Sequence, residues 1–543
     1  MVESYLEREL KFDVPADFRV PELRGADQRI DQVHTARYQL RSEYYDTADH
    51  ALQRARITLR RRTGDNDAGW QLKVPQPPAR EELRLPLDAG LDGPPPELPV
   101  VPAELERLLL GVRRGQPLKP VAVLSTERTV TELRGPDGAK LAELADDSVH
   151  AAAAGPAAVA SSWREIEIEL GTGDQQLLDR LAALVTEAGA EPSAAGSKLA
   201  RAFGDDGGPD ADPVRGYLVE QQRAMLAGDL ALRRGDESVI HKTRVATRRI
   251  RSTLRSFAPL FDGAVLPDGA VLPDGAHQRL DEELRWYAGL LGAVRDRQVM
   301  RARLLAKVDE LDDALVLGPV KARIQQELAG DQATGWAELQ DGLVSDRYLA
   351  LLGAVDEFVR ALPADLTTCK RPAGAKRAKP KRGKSKRVDS KRDESKQVQS
   401  KQAAKRAKPK RVDSKQVQSK QAAKLMRTAD RKVTRRLRRA VRSDDPMLLH
   451  RTRKAAKRAR YAGEALQPAL GRRAAKQVTR NEAMQELLGE YQDSQVSADL
   501  LRRLGSIAGT TAGENGFSFG LLYQRELDQA ASIRRAAAKL AKR

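Results

Sequence analysis

The 543-residue sequence predicts an α+β chain in two parts, a strand-rich part up to about Phe203 and an almost wholly helical part from Val214 onward. Three observations carry this. In the first part, apolar and charged residues alternate with period two in short runs broken by turn residues, as half-buried strands do. Residues 204–213 read GDDGGPDADP, a short polar linker. Beyond it the apolar spacing becomes helical, and one long motif occurs twice.

The strands share a chemistry. In YLERELKF, Tyr5 to Phe12, the side chains of Glu7, Glu9 and Lys11 fall on one face and Leu6, Leu10 and Phe12 on the other. Thr58, Arg60 and Arg62 alternate with Ile57 and Leu59; Gln71 and Lys73 alternate with Leu72 and Val74; Glu82 and Arg84 alternate with Leu83 and Leu85. Arg128 lies in STERTVTEL, and Glu165, Glu167 and Glu169 alternate with Ile166, Ile168 and Leu170. Helical pieces are expected near Pro102 to Val112 and Asp174 to Ala188. A solvated sheet face mixes Ser, Thr and Gln with charges, whereas here acidic strands bracket basic ones. A sheet closed on itself with these faces inward would line a tunnel with both signs. Its carboxylates suit a hard divalent cation and its Arg and Lys suit phosphate oxygens, so the cargo implied is a metal-bound chain of phosphates. His34, His50 and His150 have no metal-ligand spacing and are expected at the surface.

Composition narrows the function classes. The net charge is +19, but Lys370 to Lys424 holds 22 Lys and Arg against 4 acidic residues, a net of +18, so the rest of the chain is close to neutral. Polyanion binding by the folded parts must therefore rest on local clusters. Cys369 is the only cysteine, which excludes an internal disulfide framework and a cysteine-rich zinc site and fits a reducing, cytoplasmic setting. No stretch is apolar and long enough to span a bilayer, and the opening residues do not read as a secretory signal.

The helical part repeats itself. His241, Arg244, Arg248 and Arg251 in IHKTRVATRRIR match His450, Arg453, Lys457 and Arg460 in LHRTRKAAKRAR, and offsets of 0, 3, 7 and 10 put each set on one helix face. A second echo follows, LLGAVRD ending at Asp296 and LLGEYQD ending at Asp493. The chain is thus expected to contain two similar helical halves. Like charges at such spacing repel, so an anionic partner explains them better than a solvated face, and two such helices would form a basic groove for an extended polyanion. With only 4% aromatic residues, phosphate recognition is favoured over base stacking.

Two family resemblances rest on these residues. Glu7-x-Glu9-x-Lys11, YYDT at Tyr44 to Thr47, ITLRRRTGDNDAGWQLKVP from Ile57, WREIEIEL from Trp163 and SKLARA from Ser197 resemble the CYTH domain, the triphosphate tunnel fold, over about residues 1–204. That resemblance implies an eight-stranded antiparallel barrel and membership among inorganic triphosphatases, thiamine triphosphatases and one class of adenylate cyclase. It implies Mg²⁺ or Mn²⁺ held by Glu7, Glu9, Glu167 and Glu169, phosphates held by Lys11, Arg60, Arg62, Lys73, Arg128 and Lys198, and catalysis resting on Glu7, Glu9 and Lys11. Glu82 and Glu165 are further candidates, Lys198 and Arg201 match the closing motif at the tunnel mouth, and the acidic position in ELADDSV is Glu143, Asp146 or Asp147. The second part, residues 214–543, resembles the CHAD domain, which implies two halves of four helices and polyphosphate binding by His241, Arg244, Arg248, Arg249, Arg251, His450, Arg453, Lys457, Arg458 and Arg460.

Two features depart from that pattern. DGAVLPDGAVLPDGA, Asp262 to Ala276, is a tandem duplication that reads as a harmless insertion in a helix connection. Residues 367–424 repeat KRAKPKR and SKQVQSKQAAK and read as a disordered Lys-rich insert, either a drifted linker or an electrostatic tether for polyphosphate or nucleic acid. The expected function is a metal-dependent triphosphatase with a polyphosphate-binding module, cytoplasmic and associated with polyphosphate granules. The alternatives are a non-catalytic polyphosphate-binding protein, or nucleic-acid binding through the insert.

Overall fold

The computed structural model describes residues 3–76, 79–89, 99–153, 160–204, 212–266, 270–364, 366, 414–443 and 445–542. The first part is one antiparallel sheet of strands β1 (Glu3–Glu7), β2 (Glu9–Val14), β3 (Gln32–Asp46), β4 (Thr58–Thr63), β5 (Gly69–Gln76), β6 (Ala79–Leu85), β7 (Lys119–Arg134), β8 (Lys140–Ala153), β9 (Ala160–Leu170) and β10 (Glu191–Pro192). Their hydrogen-bonded order is β1-β6-β5-β4-β3-β7-β8-β9-β2-β10. The ladder therefore counts ten strands with two ends, not the closed eight expected. Arg8 splits the predicted first strand, so that β1 pairs with β6 while β2 pairs with β9, and Glu191–Pro192 add a two-residue strand beside β2. The N-terminal segment thus joins both flanks of the sheet through the chain itself.

The register explains how the charges meet. Glu9 lies opposite Glu169 and Lys11 opposite Glu167, while Glu143 and Asp147 on β8 lie opposite Glu169 and Glu165 on β9. The apolar faces turn outward onto helices. Helix α4 (Gln175–Glu187) buries Leu177, Leu178, Leu181 and Val185 against Phe12, Leu144, Ile166 and Ile168, burial worth roughly 6–12 kcal/mol for four such side chains. The other flank, with Leu59, Trp70, Leu72 and Leu83, shares one core with Leu109 and Val112 of the short helices α2 (Ala103–Leu108) and α3 (Leu110–Arg113) and their junction, and with Val214, Leu218 and Leu226. Asp46 of the YYDT motif is structural: its carboxylate accepts from the backbone N–H groups of Thr47, Leu52 and Gln53 and so holds the turn into α1 (Ala51–Arg54). A further short helix, α5 (Lys198–Ala202), begins at Ser197, whose hydroxyl accepts from the Ala200 N–H.

The second part is helical: α6 (Pro213–Arg233), α7 (Ile240–Ser256), α8 (Ala258–Phe261), α9 (Ala276–Asp309), α10 (Val320–Val344), α11 (Asp346–Ala361), α12 (Ser414–Ala440), α13 (Pro446–Leu470), α14 (Arg472–Ala508) and α15 (Phe517–Lys542). Two series pack in the same order, α6-α7-α9-α10 and α12-α13-α14-α15, and α7 packs on α13 between them. The first half carries α8 and α11 in addition to its four. Helix α6 also docks the sheet: Gly111 of α3 lies so close to the Asp229 carboxylate that a Cβ there would sit 2.1 Å from Oδ2. Arg54 pairs with Asp356 at 2.9 Å and Arg234 with Glu81 at 2.5 Å across the same junction.

The Lys-rich insert is shorter than expected. Helix α12 begins at Ser414, and from Ala422 the apolar residues Met426, Val433, Leu437 and Ala440 recur at helical spacing and are buried; the Lys-rich composition masked that period. Residues 367–413, including Cys369, lie outside the described set apart from Leu366 at its border. In the duplicated loop Ala264 of the first copy and Leu272 of the second are buried in the core, so the insertion is packed down. His50 also departs from expectation: it is half-buried, with its ring 4.8 Å from that of Phe203.

Candidate active site and anion-binding face

The inward faces of the strands and the start of α5 enclose a cavity of about 380 Å³. At its base, Lys198 Nζ lies 2.9 Å from Asp147, 2.6 Å from Glu165 and 2.7 Å from Glu167. Oxygens of these three carboxylates lie within 4.8 Å of one another, a spacing that also suits a metal ion. Arg128 donates to both Asp147 oxygens, at 2.7 and 2.5 Å, and to Glu167 at 2.8 Å. Lys11 bridges Glu9, at 3.1 Å, and Glu167. Burial disfavours ionising these groups, but opposite charges outweigh it. Glu167 is held well below the usual carboxylate range by Lys11, Lys198 and Arg128, and Lys198 is raised by Glu165, Glu167 and Asp147.

One wall is basic. Arg60 donates to Gln71 at 2.7 Å and to the Tyr44 hydroxyl at 3.3 Å. Lys73 pairs with Glu82 at 3.3 Å, and Arg62 with Asp65. Burial, with Arg60 and Arg128 alongside, pushes Arg62 down to about 10. The opposite end is acidic. Glu169 faces Glu9 and Glu143 across the rungs and makes no ion pair within 4 Å among the described residues. Burial raises its pKa, Lys73 opposes this, and Glu143 and Glu9 add to it. Glu9 itself is held at about 2, because Lys11 and Lys73 outweigh its burial.

The α7–α13 contact carries the second cluster. Arg244 and Arg248 from α7 meet Arg453 and Lys457 from α13, with Asp296 and Asp493 as the nearby acids. Arg244 is bidentate to Asp296 at 2.6 and 3.1 Å, and Arg453 reaches Gln492 at 3.2 Å and Asp493 at 3.8 Å. Burial and the three arginines push Lys457 down to about 6. His241 is lowered by burial and then by Arg295, Arg248 and Arg244, and His450 by burial and its Lys and Arg neighbours. The echoed motifs now have a reason. Gly292 and Gly489 are the third residues of LLGAVRD and LLGEYQD, and a Cβ at either would meet the guanidinium of Arg244 or Arg453, at 3.3 and 2.8 Å. Each echo supplies a bare shelf for an arginine and, one turn later, an aspartate beside it.

The family models agree with this division: the CYTH domain matches residues 6–203 and the CHAD domain residues 216–502. The chain is also 36% identical over 557 residues to the uncharacterized proteins MT2285 and Rv2226 of Mycobacterium tuberculosis (strains CDC 1551 and H37Rv), covering 98% of this chain and 94% of each relative. The chain is a CYTH–CHAD protein. Among solved structures it is similar to PptA from Streptomyces chartreusis, with a TM-score of 0.42 and 17% identity over 62% of this chain and 99% of that one.

Within this CYTH–CHAD protein the residues singled out in the sequence fall into distinct places. Glu9, Lys11, Arg60, Arg62, Lys73, Glu82, Arg128, Glu167, Glu169 and Lys198 line one cavity. Glu7 ends β1 in register with Arg80, and its side chain is outside the described set. Pairing with β9 resolves the choice in ELADDSV: Glu143 and Asp147 face inward, while Asp146 pairs with Arg164 at 2.8 Å outside. Lys198 sits beneath the carboxylate trio as its counter-ion, deeper than the mouth expected for it, and Arg201 pairs with Asp13. On the helices, Arg249 and Arg460 turn from the central cluster to Glu464, at 3.1 and 2.9 Å, and Arg251 pairs with Asp281 at 3.1 Å. Arg80, Arg84 and Lys140 line the cavity and were not singled out as site residues. Arg80 and Arg84 had a signal, since each lies two residues from Glu82 in β6; Lys140, at a hairpin end, had none.

Proposed function

We propose that the CYTH domain hydrolyses inorganic triphosphate, or a related triphosphate, in a divalent-metal-dependent reaction, and that the CHAD domain binds polyphosphate. The observation that carries the first half is the concentration of both charge signs in one cavity, with carboxylates of Glu9, Glu143, Glu167 and Glu169 beside the cations of Lys11, Arg60, Arg62, Lys73 and Arg128. A tunnel of eight strands is the reading this supports, with β1 and β2 counted as one and the two-residue β10 left out. The acidic end fits a cation. Glu169 is half-buried beside two carboxylates and makes no ion pair within 4 Å among the described residues, so a cation arriving there would relieve its crowding by Glu9 and Glu143. The trio of Asp147, Glu165 and Glu167 fits less well, because Lys198 already neutralises it. Glu7, Glu9, Glu167 and Glu169 remain the proposed ligands, with Glu143 added. Mg²⁺ or Mn²⁺ bound there would supply Lewis-acid polarisation of the phosphoryl group.

The chain's own groups do the rest. Lys11, Arg60, Arg62, Lys73 and Arg128 hold the phosphate chain in line and take up the negative charge that grows on the leaving phosphate. Arg60 is held in place by Gln71 and Tyr44, so it meets phosphate without reorganising. A carboxylate at the acidic end orients the attacking water. On the helices, Arg244, Arg248, Arg453 and Lys457 form a cluster with more positive charge than its two aspartates balance, which supports a polyanion ligand. The test is phosphate release from inorganic triphosphate with Mg²⁺ or Mn²⁺. Glu9→Gln is expected to lower it on the order of 10²–10³-fold while polyphosphate binding persists. No release by the unaltered chain under either metal would refute the reading of the tunnel as a triphosphatase.

A further inference from the structure

The two halves repeat the fold but not the charge. Helix α6, first in its half, spends its basic residues on docking: Arg223 donates to the Arg54 carbonyl at 3.0 Å, Arg233 donates to the Leu343 carbonyl at 2.7 Å, and Arg234, just beyond its end, pairs with Glu81. On its counterpart α12, Arg436 donates to the Arg451 carbonyl at 3.1 Å, but the outer face is left out of such contacts among the described residues. Lys424, Arg427, Arg431, Arg435 and Arg438 stand at offsets 0, 3, 7, 11 and 14, one exposed face about 21 Å long, and Arg442 follows just past the last turn. Among the described residues none of these six has a carboxylate within ion-pair distance. Four of them, with Arg439, line an open groove of about 820 Å³ beside Leu448. The opposite face, Ala422, Met426, Val433, Leu437 and Ala440, is buried, so packing fixes which way the stripe points.

Nothing in the fold calls for this stripe. Cations at i, i+3 and i+4 destabilise a helix by a few tenths of a kcal/mol per pair, roughly, and Asp430, the acid that lines the groove with them, is paired with Arg480 of α14. The stripe also runs on to the α7–α13 contact that holds the central cluster. Burial and the adjacent Arg458, Arg436 and Arg435 lower Lys432, and burial, Arg436 and Arg255 lower Arg458, so cations crowd one another from α12 across α13 to α7.

We propose that the exposed face of α12 is a second polyanion track that extends the α7–α13 cluster, so that the helical domain selects long phosphate chains over short ones. The proposal rests on the polyphosphate reading of that cluster. The occupant is inorganic polyphosphate and not nucleic acid, because Ser414–Ala440 contains no aromatic residue on which a base could stack. A triphosphate can engage the central four cations but cannot reach along the stripe.

The experiment uses the full chain, with tripolyphosphate, long-chain polyphosphate and duplex DNA as probes, titrated at two salt concentrations. The variant carries Arg431→Gln, Arg435→Gln, Arg438→Gln and Arg442→Gln, all at exposed positions, and unchanged thermal unfolding verifies its fold. The expected result is a drop in affinity for long chains, a logarithmic salt slope smaller by about 3 for the four lost contacts, and unchanged affinity for tripolyphosphate. Equal long-chain affinity and slope in variant and unaltered chain would overturn the track while leaving the central cluster intact. Absence of polyphosphate binding by the unaltered chain would remove the reading beneath it, and tighter binding to duplex DNA at matched salt would overturn the assignment of the occupant.

Discussion

Lys11 and Lys457 are the same residue type, each held among basic neighbours, yet their electrostatics run in opposite directions. Burial disfavours charge on both. Lys11 is nonetheless raised, because Glu167 and Glu9 outweigh burial, whereas Lys457 falls to about 6 because Arg248, Arg453 and Arg244 add to it. The first belongs to a lining in which Lys11, Lys73, Arg128 and Lys198 each pair with a carboxylate; the second belongs to a cluster with a surplus of positive charge. A balanced lining can accept a metal and an anion together by exchanging internal partners for external ones. A surplus accepts only an anion.

The sharpest way to break this comparison is to unbalance the tunnel. Lys198→Met would leave Asp147, Glu165 and Glu167 facing one another without their shared ammonium. Removing one partner of a buried charged cluster costs about 3–5 kcal/mol, so thermal unfolding should move down sharply. The same trio would then present oxygens at metal-binding spacing with only Arg128 and Lys11 left to balance them among the described cavity residues. Added Mn²⁺ or Mg²⁺ should recover much of the loss, far more than it stabilises the unaltered chain. A destabilised variant that no divalent ion rescues would argue that Lys198 supports packing alone.

The sequence showed the tunnel's contents better than its boundary. Strand parity was enough to bring Glu9, Lys11, Arg60, Lys73, Arg128, Glu167 and Glu169 to one cavity, because a two-residue period fixes the face without knowledge of the partner. It could not show that Arg8 breaks the first strand, since no residue type marks that break. Parity failed in ELADDSV, where Asp146 and Asp147 are adjacent acids, and only pairing with β9 separates them. Lys198 lay on a helix after the last long strand, so its depth depended on tertiary packing. On the helices the basic motifs were legible by spacing, but the glycines of the echoes were not, because a glycine's use is to admit a side chain from elsewhere.

The surplus on the helical face should show in the protons it exchanges. Lys457, surrounded by Arg244, Arg248, Arg453 and Asp493, is neutral above about pH 6 when no ligand is bound. A polyanion would bring negative charge to it and return its pKa toward the ordinary lysine value of about 10.4. Between those limits binding takes up a proton, so affinity should fall as pH rises, approaching about tenfold per pH unit. Titration calorimetry in two buffers of different ionisation enthalpy measures that uptake directly. The cavity should behave in the reverse sense toward metal, because burial raises Glu169 above an ordinary carboxyl and a cation competes with the proton it then holds more tightly. Proton release by polyphosphate on the helical face would contradict the assignment of Lys457.

The smallest effect tests the arginine shelves. At Gly489 an added Cβ would sit 2.8 Å from the Arg453 guanidinium, while at Gly292 the corresponding gap to Arg244 is 3.3 Å. In both cases the colliding atoms are the far end of a flexible side chain, so the fold can accommodate alanine with little loss of stability. The arginine must swing off its preferred rotamer, at about 0.5–1.5 kcal/mol, which is roughly a 2–12-fold loss in polyphosphate affinity. Arg244 is held by both oxygens of Asp296, whereas Arg453 has only Gln492 and a longer contact to Asp493. Gly489→Ala should therefore weaken binding more than Gly292→Ala, with unfolding temperatures nearly unchanged in both. Equal effects would mean that the two halves hold their arginines alike, and that the tighter gap and looser tether at Arg453 do not control its position.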